Sequence, residues 1–175
     1  MDIIGNYSNG RNILILLVLF LFAILVVIPA LYPAFQTLDT LPGYTPEKAY
    51  ELISSYGDQG RQSYVITELT LDLIYPLILA LLFSAAIFYT FQRGFPGLAW
   101  SGRLALIPFA IMLVDYLENA CIIFMLRSYP RQIPIVASIS NVFTITKLTL
   151  TPFELLFLVG LAGWLVRRIR AGHKT

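Results

Sequence analysis

Four long apolar segments constrain this chain more than any other feature of its sequence. They cover residues 12–31, 69–91, 104–126 and 142–166, and each is close to or above the roughly 20 residues that a helix needs to cross the hydrocarbon core of a bilayer. Only 13% of the residues are charged, whereas a soluble domain has about 25%. Lipid offers the backbone no hydrogen-bond partners, so such segments must be helical. The sequence predicts an all-α membrane protein, a bundle of four transmembrane helices that forms one domain over residues 1–175.

The first apolar segment needs a separate argument because a secretory signal peptide also contains an apolar run. Its apolar core, residues 13–28, is slightly longer than the roughly 7–15 residues of a signal-peptide core. We therefore interpret it as a true span. It is apolar throughout, which predicts that it packs as a wall beside the other three.

The basic residues indicate how the chain is oriented. Cytoplasmic ends of membrane helices carry an excess of Lys and Arg. Seven basic residues would share one side of the membrane, namely Arg11, Arg93, Arg103, Arg167, Arg168, Arg170 and Lys174, and four would share the other, namely Lys48, Arg61, Arg127 and Arg131. This asymmetry predicts that both termini are cytoplasmic.

The loop after the first segment carries the signals of a short amphipathic helix over residues 46–56. Thr45 is a suitable N-cap and Pro46 a suitable first residue, and Gly57 can end the helix. Four apolar residues fall at i, i+3, i+4 and i+7 and form one face: Ala49, Leu52, Ile53 and Tyr56. We expect this extracytoplasmic helix to lie on the outer membrane surface or to cover the bundle.

Polar and ionisable residues interrupt the last three segments. The stretch DYLEN places Asp115, Glu118 and Asn119 at i, i+3 and i+4, on one helix face. The second and fourth segments carry similar stripes, and the three stripes overlap in depth in the outer half of the membrane. The candidate site residues are Arg61, Tyr64, Asp72, Tyr75, Asp115, Glu118, Asn119, Lys147, Thr151 and Glu154.

Charged groups at these positions need partners. An ionised side chain at the bilayer centre costs roughly 2.5–3.5 kcal/mol, so the carboxylates must face inward. Lys147 is the only basic residue well inside a segment and is their natural partner. Because the acids outnumber the nearby bases, we predict that Asp115 or Glu118 is protonated at neutral pH. Pro76 cannot donate a backbone hydrogen bond, which frees the carbonyl of Asp72.

Several functional classes are excluded or weakened by composition. The net charge is +2, which is too small to indicate nucleic acid as a partner. A lone Cys121 and a lone His173, in the tail, do not provide a Cys/His metal site or a haem site. Interhelical hydrogen bonds contribute about 0.6 kcal/mol on average, and Asn or Ser would provide them at a lower cost than clustered acids. The cluster therefore favours a ligand-binding or catalytic site over purely structural pairing.

The ordered motifs GYTPEKAYELI, GDQGRQSY, LDLIYP and DYLEN, followed by a Thr-rich segment with Lys147, resemble an uncharacterised group of small bacterial four-span integral membrane proteins. The resemblance covers about residues 42–147 and implies a location in the bacterial inner membrane, but it implies no activity. It lends weight to Gly43, Arg61, Tyr64, Asp72, Pro76, Asp115, Glu118, Asn119 and Lys147. The layout is also loosely similar to that of EXPERA proteins, whose four or five helices hold acids in a cavity for sterol-like ligands. The intramembrane histidine of the sterol isomerases in that superfamily has no counterpart here.

Four functions remain open on this evidence. The first is a cavity that binds a small amphipathic or lipid-like molecule, in contact with membrane lipids. The second is an enzyme acting on a lipid, with Asp115 and Glu118 as acid and base, or with Asp72, Asp115 and Glu118 holding Mg²⁺ or Ca²⁺, which prefer oxygen ligands. The third is transport or proton relay by an oligomer, and the fourth is a subunit that docks on a partner protein. The sequence favours the first, and it specifies no cofactor.

Overall fold

The described part of the protein is predominantly helical. The computed structural model describes the backbone of residues 2–94 and 101–172, and the side chains of residues 4–94 and 102–152 with a few positions beyond. No strand occurs in this part of the chain. The helices are α1 (Asp2–Tyr7), α2 (Gly10–Phe22, continued by a π turn, Ala23–Val27), α3 (Ile28–Leu31), α4 (Pro46–Ser55), α5 (Gly57–Gly94), α6 (Ser101–Leu104), α7 (Ile107–Ser128) and α8 (Pro134–Gly172).

Three stretches of the described residues are long and apolar enough to cross a membrane: Gly10–Leu31, Gly57–Gly94 and Gly102–Ser128. They contain the first three predicted spans. The fourth predicted span, residues 142–166, lies within α8, and most of its side chains beyond Pro152 are outside the described residues.

The stretch Gly10–Leu31 lies at the periphery of the fold. It packs against α5, but none of its residues is buried. A π turn at Ala23–Val27 precedes Pro29, whose missing N–H cannot continue the α-helical hydrogen-bond ladder. Its large apolar side chains are open, with Leu25 70% exposed, as expected for a surface that contacts acyl chains.

The segment of residues 32–56, which we call the cap, folds over one end of the long helices. Helix α4 has the predicted Thr45 N-cap, which accepts a hydrogen bond from the Lys48 N–H, and Gly57 follows it in the left-handed region with φ of +62°. Its apolar face enters a buried core shared with α5, α7 and α8: Leu38, Tyr44, Ala49, Tyr50, Ile53, Tyr64, Val65, Ile122, Met125, Leu126 and Ala137. Of the two predicted locations for this helix, the structure selects the one that covers the ends of the long helices.

Two hydrogen bonds, each between a backbone N–H and a side-chain oxygen, attach the cap to α8 and to the residue that precedes it. The Tyr50 hydroxyl accepts from the Ile133 N–H at 2.7 Å, and the Asn141 side-chain oxygen accepts from the Tyr44 N–H at 2.7 Å. Gly43 precedes Tyr44 with φ of +150°, a conformation that side-chain-bearing residues rarely adopt. The sequence at this point therefore allows the chain to turn tightly onto α8.

A second apolar cluster forms at the opposite end of the long helices. Ile87, Phe91 and Ala105 are buried there, with Ile4 of α1 packed against them. The Tyr7 hydroxyl lies 2.7 Å from Ser84 Oγ and ties α1 to α5. The middle of α5, α7 and α8 thus lies between two packed ends, and the predicted polar stripes fall in this middle region.

Candidate functional site

A cavity of about 320 Å³ lies between α5, α7 and α8, next to the cap. One end of it is polar and is lined by Asp39, Asp72, Asp115 and Lys147. The rest of the lining is mostly apolar and includes Leu79, Ala80, Pro108, Ile111, Met112 and Leu148. Tyr75 and Thr151 also contribute to the wall. The cavity is therefore amphipathic, with its acids gathered toward the cap.

Lys147 lies between two carboxylates of α7. Its Nζ is 2.7 Å from Asp115 Oδ1 and 2.6 Å from Glu118 Oε2. The Glu118 side chain is completely buried, and its Oε1 accepts a hydrogen bond of 2.6 Å from Thr144 Oγ1. The predicted pairing of Lys147 with the acids of DYLEN is confirmed. Of the two acids, Asp115 lines the cavity, whereas Glu118 does not.

The carbonyl that Pro76 leaves without a helical partner is used by α7. Asn119 Nδ2 donates to the Asp72 backbone oxygen at 3.0 Å, so the prediction that this carbonyl is free for another bond is confirmed. The Asp72 side chain lines the cavity, and its Oδ2 is buried without a hydrogen-bond partner. The hydrogen bond from Asn119 thus sets the position of α7 along the axis of α5. The Asp72 carboxylate lines the cavity.

Asp39 belongs to the polar end of the cavity although it was not among the candidate residues. It lies in a short 3₁₀ turn of the cap, Leu38–Thr40, and accepts hydrogen bonds of 2.6 Å from both the Tyr32 and the Tyr64 hydroxyls. Burial, together with the charge of Asp39, raises the pKa of Tyr32, so this phenol remains protonated and can donate. No periodic signal marks a loop carboxylate of this kind, although the sequence does place it near Tyr32.

Glu68 is a second acid that was not among the candidates. Its side chain is only 2% exposed, and neither carboxylate oxygen has a hydrogen-bond partner. It lies one helical turn before Asp72 on the same face of α5 and interacts electrostatically with Asp39, Asp72 and Lys147. The helical spacing of Tyr64, Glu68 and Asp72 predicts that Glu68 shares their polar face, but from the sequence alone we interpret it as an interfacial anchor.

The remaining candidates have other positions. The structure does not bring Arg61 to the cavity, because it pairs with Asp58, donates to the Ile53 carbonyl at 3.2 Å and lies 4.3 Å above the Tyr129 ring. Tyr64 anchors the cap to α5 through its hydrogen bond to Asp39. In the cavity wall, Tyr75 stacks on Phe20 of α2 with centroids 5.8 Å apart, and Thr151 donates to the Lys147 carbonyl at 2.9 Å. The side chain of Glu154 lies outside the described residues.

The arrangement does not provide the predicted alternative of a divalent-metal site. Within the part of the chain that the structure describes, no three His, Cys, Asp or Glu residues are grouped so that they could hold a metal ion. The reason is visible at Lys147, whose ammonium occupies the position between Asp115 and Glu118 that a shared cation would need.

Comparisons with known proteins give no relative from which a function could be transferred. No protein-family model, no curated protein and no solved structure matches this chain. The chemistry of the site must therefore be argued from its own residues.

Proposed function

We propose that the protein binds a small amphipathic or lipid-like molecule in the cavity between α5, α7 and α8. The observation that carries this proposal is the division of the cavity into a polar end beside the cap and an apolar remainder. Ligand pockets are typically concave and mostly apolar, with a few convergent polar groups, and have volumes of about 300–1,000 Å³. The cavity, at about 320 Å³, fits a ligand with one polar group and a short apolar body.

Binding is favoured over acid–base chemistry on a lipid by the state of the two acids of DYLEN. Asp115 and Glu118 both contact Lys147, and Glu118 also accepts from Thr144. A general acid and base need different environments that separate their pKa values and need access to the substrate. Here the two acids share one cation, and only Asp115 lines the cavity.

We further propose that the chain forms a bundle of four transmembrane helices in the bacterial inner membrane, with both termini cytoplasmic and the cap outside. Three stretches that are long and apolar enough to span support this arrangement. The fourth would be α8, whose 39 residues give a length of about 58 Å. The basic residues of the tail, Arg167, Arg168 and Arg170, support a cytoplasmic C-terminus.

This arrangement predicts which introduced cysteines are accessible from outside the cell. In a background in which Cys121 is replaced by serine, Glu47→Cys in the cap is expected to react with a membrane-impermeant maleimide in intact spheroplasts. Arg11→Cys is expected to react only after the membrane is permeabilised. Labelling of Arg11→Cys in intact spheroplasts, with Glu47→Cys protected, would reverse the proposed orientation.

The binding proposal predicts a discrete bound mass in native mass spectrometry of the protein released from detergent. Asp115→Asn is expected to lose this mass, because it removes a charge that lines the cavity while Lys147 keeps Glu118 as a partner. Asp58→Asn is the matched control, since the Asp58 side chain is 98% exposed and is not among the cavity-lining residues.

Two results would count against a binding function. One is a wild-type protein that carries only bulk membrane lipid. The other is an Asp115→Asn variant that retains the same discrete mass as Asp58→Asn. Melting curves of both variants are needed alongside, so that a lost ligand is distinguished from a lost fold.

A further inference from the structure

We propose that the polar group of the ligand is a cation, either a protonated amine or a quaternary ammonium, carried on a short apolar chain. This inference rests on the proposed binding function and names the class of ligand. It follows from which charged side chains around the cavity already have a partner of opposite charge and which do not.

Among the described residues that line the cavity, Lys147 is the only basic one, and it is not available to an anionic ligand. Its ammonium contacts both Asp115 and Glu118, at 2.7 and 2.6 Å. A phosphate or carboxylate head group would have to displace one of these carboxylates from a buried ion pair. Leaving a buried charge without its partner is strongly destabilising, so the existing pairs oppose such an exchange.

Among the described residues, the acids that remain form no ion pair with a base. Asp72 Oδ2 is buried without a hydrogen-bond partner, and the Asp72 side chain lines the cavity. One turn away, Glu68 is 2% exposed and both of its oxygens also lack partners. A buried polar group without a partner carries a desolvation penalty. A cation bound at the polar end of the cavity would supply the missing partner of Asp72, while Glu68, which is not among the lining residues, would add its charge from one turn away.

Asp39 and Tyr75 complete a setting that suits a cation. The two oxygens of Asp39 accept from Tyr32 and Tyr64, which orients the carboxylate at the cavity but adds no positive charge. Tyr75 is part of the cavity wall while its ring also stacks on Phe20, and aromatic rings attract ammonium groups. An anionic head group would instead meet three carboxylates, those of Asp39, Asp72 and Asp115, across one small space.

The test compares three probes that share one short chain length and differ in charge: hexyltrimethylammonium, hexyl sulfate and hexanol. Each is titrated as a tritiated ligand into the full chain in phosphatidylcholine nanodiscs, and binding to empty nanodiscs is subtracted. We expect saturable binding of the ammonium probe that exceeds binding of the other two by about tenfold or more, as expected for a charge-assisted contact.

Variants then locate the contact. Asp72→Asn is expected to weaken binding of the ammonium probe by about tenfold, and Asp72→Glu is expected to retain most of it. Asp58→Asn controls for loss of one acid at an exposed position of the same helix. If Asp72→Asn does not fold, the relative affinities of the wild-type protein for the three probes test the cation inference.

The outcomes separate this inference from the binding function. If all three probes bind saturably with similar affinity, or if hexyl sulfate binds best, the cation inference is overturned while the binding function stands. If the ammonium probe binds best but Asp72→Asn folds and binds it as the wild type does, the cation lies elsewhere and the inference for this cavity is overturned. If no probe binds above empty nanodiscs, the cation inference for these chains fails, and the mass-spectrometry test of Asp115→Asn decides separately whether a ligand is bound at all.

Discussion

Replacing Lys147 with methionine is expected to lower the free energy of unfolding by about 3–5 kcal/mol, the usual cost of removing one partner from a buried ion pair. The change would leave two acids, Asp115 and Glu118, without the ammonium that lies within 2.7 Å of each. Methionine keeps most of the length of lysine, so the loss measures charge more than volume. Equilibrium unfolding of the purified protein in mixed micelles, followed by circular dichroism, provides the measurement.

Two further variants show whether the charges are the cause. Lys48→Met removes a lysine from an exposed pair with Glu51 and is expected to cost at most about 1 kcal/mol. Adding Asp115→Asn and Glu118→Gln to Lys147→Met is expected to recover most of the lost stability, because replacing a whole buried pair by neutral groups is often tolerated. A Lys147→Met protein as stable as the wild type would mean that the two acids are already neutral without lysine.

The apolar segments predict where the long helices lie, but they predict the first and last residues of these helices only roughly. Hydropathy alone predicts a second span from residue 69, whereas Asp58 as a capping residue predicts a helix that enters this span from the loop, and α5 indeed begins at Gly57. The additional turns carry polar residues such as Gln59 and Gln62 and continue the helix beyond the apolar region. Hydropathy measures what lipid tolerates, whereas a helix continues as long as its backbone bonds and packing allow.

Contacts set by helix periodicity or by proline could be predicted, whereas contacts set by loop shape could not. Lys147 and the acids of DYLEN could be paired because each lies on the polar face of its own helix. The acceptor at Asp72 could be found because Pro76 removes a donor four residues later, and the structure supplies Asn119 as the new donor. Asp39 reaches the cavity through the irregular path of the cap, and no spacing rule encodes that path.

Arg61 was predicted to be a site residue, but it does not line the cavity, because a nearby acid and a nearby ring already bind its guanidinium group. Its charge and its position just before the second apolar segment made it a candidate site residue. Asp58 lies at i−3 on the same helix, and the Tyr129 ring is close enough for a cation–π contact. Because these groups already satisfy Arg61, it does not turn toward the cavity. Among the described residues that line the cavity, Lys147 is then the only base, and this charge balance favours a cationic ligand.

Replacing Tyr64 with phenylalanine tests whether the cap is fastened through Asp39. The variant keeps a ring of the same shape against Tyr56 and Phe35 but removes a hydroxyl that donates to Asp39 at 2.6 Å and accepts from the Leu38 N–H at 3.0 Å. Leu38 is fully buried, so its N–H would lose its partner without gaining water. Because a bond to a charged group and a buried donor are both lost, we expect a cost of about 2–4 kcal/mol.

The local consequence of Tyr64→Phe distinguishes a loosened cap from a general loss of stability. We expect faster hydrogen exchange at the Leu38 amide, measured by mass spectrometry, and weaker ligand binding, because Asp39 would be held by Tyr32 alone. Tyr56→Phe is the matched control, since its hydroxyl donates to the Gln36 carbonyl at an exposed position, where water can replace it. Unchanged protection of Leu38 in Tyr64→Phe would show that the apolar core of the cap holds this segment in place, and that the hydrogen bonds to Asp39 only orient the carboxylate toward the cavity.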